Sequence, residues 1–315
     1  MTEIKKLLPN MDRVLIPVDQ SDASDRAVRF AACLLAPLTN GVVQEIVLLH
    51  VLGVSFLEKM AANIDLRIAA LKETPLFKKL AREYVEKEIQ PFMEEVEGLL
   101  REAGVKCKIT RQVIEGDPTK EIINFALKGK IHTIVMGRRR RSALAERVLG
   151  SCSYAVSHRP GRHTDYIVGL EEIDIHACPV PRILVPVDGS RFATNALKEA
   201  AALALAFPDE VIEISTLYVV EAAYEQTDGE GQKILKEAKE LLLSLGISEK
   251  KLQTILVFGD PAEEIVRVAE EGSYNIIMMG RTGKSGLREI ILGSVSSRVL
   301  HLATRPTVAL ISPAD

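Results

Sequence analysis

Apolar and polar positions along the chain switch between two periods. Short unbroken apolar runs, of the kind a strand covered on both faces requires, are separated by longer stretches with apolar residues at steps of three and four. The first run, Arg13-Val14-Leu15-Ile16-Pro17-Val18-Asp19, closes on an aspartate and leads into a helical pattern carried by Ala27, Phe30, Ala31 and Leu34. A second strand is predicted at 46–51. The same succession then returns. Arg182-Ile183-Leu184-Val185-Pro186-Val187-Asp188 precedes a helical face of Ala196, Ala200, Leu203 and Leu205, and a strand is predicted at 212–219. Glu115-Gly116-Asp117-Pro118 returns as Phe258-Gly259-Asp260-Pro261, each with proline at the first position of a predicted helix. The apolar faces there are Ile122, Ile123, Phe125 and Ala126, then Ile265, Val266, Val268 and Ala269. Ile134-Val135-Met136-Gly137 returns as Ile277-Met278-Met279-Gly280, and Gly150-Ser151 as Gly293-Ser294.

The offsets locate an insertion. Asp188 follows Asp19 by 169 residues, whereas Gly259, Gly280 and Gly293 follow Gly116, Gly137 and Gly150 by 143 each. The first half therefore carries 26 more residues, which fall largely within 53–108. Val85, Ile89, Phe92, Val96, Leu99 and Ala103 predict helix there, read as a lengthened surface helix pair, with a lid or docking surface as the second reading. The last strand of the first half is either 166–170 or 177–180. The former is favoured, leaving 171–181 as linker. Strands alternating with helices, twice over, predict an α/β fold of two tandem doubly wound, Rossmann-like parallel-sheet domains, 1–175 and 180–315. Their repetition predicts an intramolecular pseudo-dimer, with pairing of two chains into a homodimer as a weaker expectation.

The length of 315 residues suits two domains at about 100–200 residues each. With 47% hydrophobic and 26% charged residues, the balance is that of a globular protein. A formal net charge of −3 argues against a nucleic-acid binder. No apolar run reaches the about 18 residues of a membrane span, and 1–6 lacks the apolar core of a signal peptide. Cys33, Cys107, Cys152 and Cys178 show no metal spacing and are expected as reduced, mostly buried thiols in a cytoplasmic protein.

Candidate chemistry concentrates in Gly280-Arg281-Thr282-Gly283 and in Gly293-Ser294-Val295-Ser296, after the apolar run 276–279. A strand, a glycine-rich loop and a helix start make an anion site, since glycine lets backbone N–H groups approach a phosphate. Ser294 and Ser296 add hydroxyls, and Arg281 and Lys284 add charge. Gly283-Lys284-Ser285 imitates the end of a Walker A loop, but that pattern needs glycine where Met278 stands. Asp19, Asp188, Gly137 and Gly280 lie at carboxyl ends of predicted strands, where such folds bind ligands.

The spacing G-x2-G-x9-G-S, together with Val185-Pro186-Val187-Asp188-Gly189-Ser190, resembles the nucleotide-binding signature of the universal stress protein family. The whole chain, apart from the insertion and linker, is similar to a tandem pair of such domains, of the adenine nucleotide alpha hydrolase-like kind. The resemblance implies ATP or AMP as ligand, with Mg2+ as its companion ion. It assigns Pro186, Val187 and Asp188 to base and ribose, and Tyr218 and Val219 to the border of the adenine. Met279, Gly280, Arg281, Gly283, Gly293, Ser294, Val295 and Ser296 are then expected to line the pocket. Asp188 also suits a helix cap.

The first half departs from this pattern. Arg140 stands in place of the middle glycine within Gly137-Arg138-Arg139-Arg140-Arg141, while Asp19, Gly137, Gly150, Ser151 and Ser153 are retained. That site is either vacant or grips an anion with arginine side chains. The leading functional reading is a nucleotide-binding stress or signalling protein without catalytic residues. A slow ATPase or phosphotransferase and a ligand-free interaction module are the alternatives. Against catalysis, no clear general base or acidic Mg2+-binding pair stands near the loop. No nucleic acid or membrane partner is expected.

Overall fold

Among the described residues ten strands form one sheet, in the order β3-β2-β1-β4-β5-β10-β9-β6-β7-β8. The computed structural model of the chain describes residues 2–53, 75–139, 149–159, 163–177, 180–207, 212–221, 228–283 and 292–312. A short helix α1 (Thr2–Leu7) precedes the first half, which runs β1 (Arg13–Pro17), α2 (Asp22–Leu35), β2 (Glu45–Leu52), α3 (Pro75–Tyr84), a π-helical stretch (Val85–Ile89), α4 (Gln90–Glu102), β3 (Lys108–Glu115), α5 (Pro118–Gly129), β4 (Thr133–Gly137), α6 (Ser151–Ser157) and β5 (Thr164–Val168). The second half repeats it as β6 (Arg182–Pro186), α7 (Arg191–Ala206), β7 (Glu213–Val220), α8 (Asp228–Ser244), β8 (Leu252–Phe258), α9 (Pro261–Glu271), β9 (Ile276–Gly280), α10 (Ser294–Leu302) and β10 (Thr307–Ile311). Among the described residues no helix is long and apolar enough to cross a membrane.

The inner strands are buried on both faces because helices cover both, which is why they read as apolar runs, whereas the edge strands β3 and β8 are half-buried or exposed. Alternate residues feed two cores. Val14, Ile16, Ile276 and Met278 pack under α2, α4, α7 and α8, while Leu15, Ile134, Ile277 and Met279 pack under α5, α6, α9 and α10. The aspartate before each proline acts as an N-cap: Asp117 accepts from Lys120 N, and Asp260 from Ala262 N and Glu263 N.

All neighbouring strands are parallel except β5 and β10, which run antiparallel with Tyr166 opposite Ala309 and Asp165 opposite Leu310. Through that pair the two halves share one continuous sheet, as the repeat leads one to expect of a pseudo-dimer. The favoured strand 166–170 is found as β5; no strand is assigned at 177–180, and residues 178–179 lie outside the described residues.

One expectation changes, at Leu205, while the insertion and the cysteines are described in part. Of the insertion, 75–102 runs as one helical path through the π-helical stretch, against the 17 residues of α8, and 54–74 lies outside the described residues. Its deepest line is Ile89, Met93, Val96 and Leu100, with Phe92 and Leu99 beside it half-buried. Leu205, read as part of an apolar helix face, is 40% exposed, because α7 ends one residue later where the chain leaves the core. Cys33 and Cys107 are buried and Cys152 half-buried, and Cys178 lies outside the described residues.

Candidate functional site

In the second half, β6 and β9 lie side by side, and the chain leaves them toward opposite faces of the sheet. A crevice therefore opens at their carboxyl ends. Asp188 follows β6, and its Oδ1 accepts from Ser190 N at 2.9 Å. Ser190, not Asp188, is the N-cap of α7, accepting from Ala193 N at 3.1 Å. Gly189 between them takes φ +79°, which favours glycine.

β9 ends on Gly280, where a Cβ would meet Phe192 Cβ at 2.5 Å, so this loop can leave the strand only with glycine in place. Gly283 then comes up against Asp188: a Cβ there would lie 2.6 Å from Asp188 Oδ2. The loop returns to α10 through Gly293, whose N donates to Arg281 O at 2.8 Å. Ser294 is exposed in the first turn of α10, and Val295 is half-buried. The structure thus brings Asp188, Gly280, Gly283, Gly293 and Ser294 to one crevice. Pro186 closes β6, Val187 and Met279 are buried beside it, and Lys284 lies outside the described residues.

Four of the expected side chains point elsewhere. Arg281 does not bring charge to the loop: its guanidinium is buried, donating to Asp165 Oδ2 at 2.7 Å and to Ser157 O in the first half. The Ser296 hydroxyl donates to Gly280 O at 2.9 Å and so rivets α10 to its own strand. Tyr218 turns its ring against Gly231 of α8, while Val219 packs into the opposite core.

The first half keeps the frame and sets an arginine on its aspartate. Ser153 Oγ donates to Gly137 O at 3.2 Å, as Ser296 does to Gly280. Gly150 is the N-cap of α6, Ser151 its exposed first residue. Arg139, at the position of Thr282, runs its stem past the Cβ site of Gly150 at 3.6 Å and sets Nη2 2.6 Å from Asp19 Oδ2. Asp19 Oδ1 also accepts from Ser21 N at 3.1 Å and from Ser21 Oγ. Burial alone would raise the Asp19 carboxyl, but Ser21 and Arg139 bring it below its ordinary value. The sequence directs attention to Arg140, which lies outside the described residues; Arg139 is the arginine seated on Asp19.

A buried polar cluster ties the halves together beside the second half's crevice, at the amino end of β5. Asp165 on β5 accepts from Arg159 Nη1 and Arg281 Nη1, each at 2.7 Å, with His163 Nε2 at 3.2 Å. Burial would raise the Asp165 carboxyl, but Arg159, His163 and Arg281 hold it well below the usual carboxylate range. Burial pushes His163 down to about 4, against the pull of Asp165, so its ring is neutral at neutral pH. On the other face of β5, Tyr166 donates its hydroxyl to Glu199 of α7, and burial drives that carboxyl up to about 7 against this hydrogen bond. None of these side chains stands out in the sequence by type or spacing. The only signal is that the repeat breaks there, with Val308 at the place of Asp165 and Phe30 at that of Glu199.

Comparison with known proteins follows the same division. The model of the universal stress protein family matches residues 10–160 and again 179–310. A universal stress protein of Methanocaldococcus jannaschii is 36% identical over 146 residues, covering 42% of this chain and 82% of that protein. One from Mycolicibacterium smegmatis is 24% identical over 312 residues, covering 94% of this chain and 96% of its own length. In fold the chain is similar to the crystal structure of a universal stress protein from Archaeoglobus fulgidus, with a TM-score of 0.67 at 22% identity, covering 96% of this chain and 99% of that one.

Proposed function

The chain belongs to the universal stress protein family, and from that premise we propose that its second half binds an adenine nucleotide, ATP or AMP, and that nucleotide-dependent conformation or partner binding is its stress or signalling output. The observation that carries this reading is the contact of Gly283 with Asp188, where a Cβ would stand 2.6 Å from the carboxylate. Only a glycine loop leaves space between that acid and the start of α10 for a ribose and its phosphates. Asp188 would accept from the ribose hydroxyls. Backbone N–H groups around Gly283 and Ser294, at the positive end of the α10 dipole, would meet the phosphates. Mg2+ would come with the phosphates, since among the described residues no group of three or more His, Cys, Asp or Glu could hold a metal ion. In the first half the Arg139 guanidinium already sits on Asp19, so that site is proposed as self-occupied.

Asp188→Ala is expected to weaken binding by about 1–3 kcal/mol, the scale of losing a charged hydrogen-bond partner. Isothermal titration with ATP and with AMP, on variant and wild type of equal thermal stability, measures this. Unchanged affinity would remove Asp188 from the site.

A further inference from the structure

The last carbonyls of a helix have no partner within it and must find donors outside. In α10 the helix closes with Ala303 N donating to Val299 O at 2.8 Å. The next carbonyl, Leu300 O, takes its donor from the other half, from Nη2 of Arg138. Arg138 is 1% exposed. Among the described residues its Nε and Nη1 have no acceptor, and no carboxylate pairs with it, because the position equivalent to Asp165 is Val308. The negative end of the α10 dipole is what faces this buried cation. Arg138 is itself held firmly. Its N donates to Val168 O at 2.9 Å, and its O accepts from Arg26 Nη2 at 2.8 Å, with Arg26 Nε on Gly169 O at 3.1 Å.

α10 is thus pinned at both ends. Ser296 and Gly293 fix its first turn to the loop after β9, and Arg138 fixes its last turn to the first half. At about 1.5 Å per residue its nine residues form a short rod, so a tilt at one end displaces the other. We propose that Arg138 is a positioning residue for the phosphate end of the second half's site, acting through the C-terminal turn of α10. This rests on the nucleotide reading above. The half whose own Asp19 is held by Arg139 thereby contributes to the geometry of the other crevice.

The test uses the full chain with Arg138→Met, which removes donor and charge, and Arg138→Lys, which keeps the charge and one donor group. In nucleotide-free protein, hydrogen exchange of the amides in 294–302 is expected to rise about tenfold in the Met variant, the scale of one lost helix-end interaction. Exchange in α9 should stay unchanged, and Lys should restore part of the protection in α10. By calorimetry, ATP affinity should fall about tenfold in the Met variant while adenosine affinity stays within about twofold, because the helix start meets only the phosphates. Wild-type protection of α10 in the Met variant, or equal losses for ATP and adenosine, would overturn the proposal. If Arg138→Met does not fold, Arg138→Lys carries both readouts, with intermediate losses expected and wild-type values overturning the idea. If the wild-type chain takes up no adenine nucleotide, it is the nucleotide reading that fails, and the exchange measurement still decides whether Arg138 holds α10.

Discussion

Asp165→Asn is expected to lower the stability of the chain by about 3–5 kcal/mol, the range for removing one partner of a buried ion pair. The Asp165 side chain is fully buried, and Arg159 and Arg281, each almost fully buried, share its two oxygens. An asparagine keeps one acceptor but no charge, so two guanidinium groups would remain in a low-dielectric site without their counter-ion. Asp165 lies on β5, in register with β10, so the loss falls on the strand pair through which the halves join. Urea denaturation at about pH 7–8 measures the effect, since a carboxyl held below its ordinary range keeps its full contribution there and loses it only in acid. A deficit below about 1 kcal/mol, the value of an exposed pair, would mean that water reaches the cluster.

Glu199→Gln is expected to act in the opposite direction and only as pH rises. Glu199 is 5% exposed, and its carboxyl is pushed up to about 7. Its neighbour across the junction is Tyr166, the residues packed beside that ring include Phe30, and among the described residues no cation offsets the charge. The folded chain keeps a proton that the unfolded chain releases near its ordinary value of 4.5, so stability falls between about 4.5 and about 7 and levels off above. At 1.36 kcal/mol for each pH unit of that gap, the loss amounts to about 3 kcal/mol. Glutamine keeps an oxygen for the Tyr166 hydroxyl and never ionises. The difference in stability between variant and wild type should therefore shift by about 3 kcal/mol in favour of glutamine from pH 4.5 to pH 8, whatever constant offset the amide adds. Parallel pH curves for the two proteins would show that Glu199 does not titrate in this range.

The strands and helices were legible because their signals are local. Unbroken apolar runs such as Ile276 to Met279, and the Asp-Pro caps at 117–118 and 260–261, hold wherever the segment is placed. The repeat made the frame legible twice, including the glycine loop and the aspartate beside it. What stayed hidden depends on the antiparallel meeting of β5 and β10, which no local period encodes. Arg281 reads as a loop cation until β10 is placed between its strand and that of Asp165, 116 residues away. Arg138 and Arg139 read as part of an arginine run at a site either vacant or gripping an anion, yet one is buried against the end of α10 and the other reaches Asp19. In retrospect the breaks in the repeat mark these places: Asp165 against Val308, Glu199 against Phe30, and Arg139 against Thr282. The first two of these breaks sit where the halves touch, and the third where an arginine takes the aspartate.

Titration of ATP into the wild-type chain by calorimetry, with the bound nucleotide then identified by mass spectrometry, tests the central claim most directly. One site per chain is expected, lost on Gly283→Arg, because a side chain there would enter the space against Asp188 while Arg139 already occupies Asp19. Two equally tight sites per chain, or one site that survives Gly283→Arg, would contradict it.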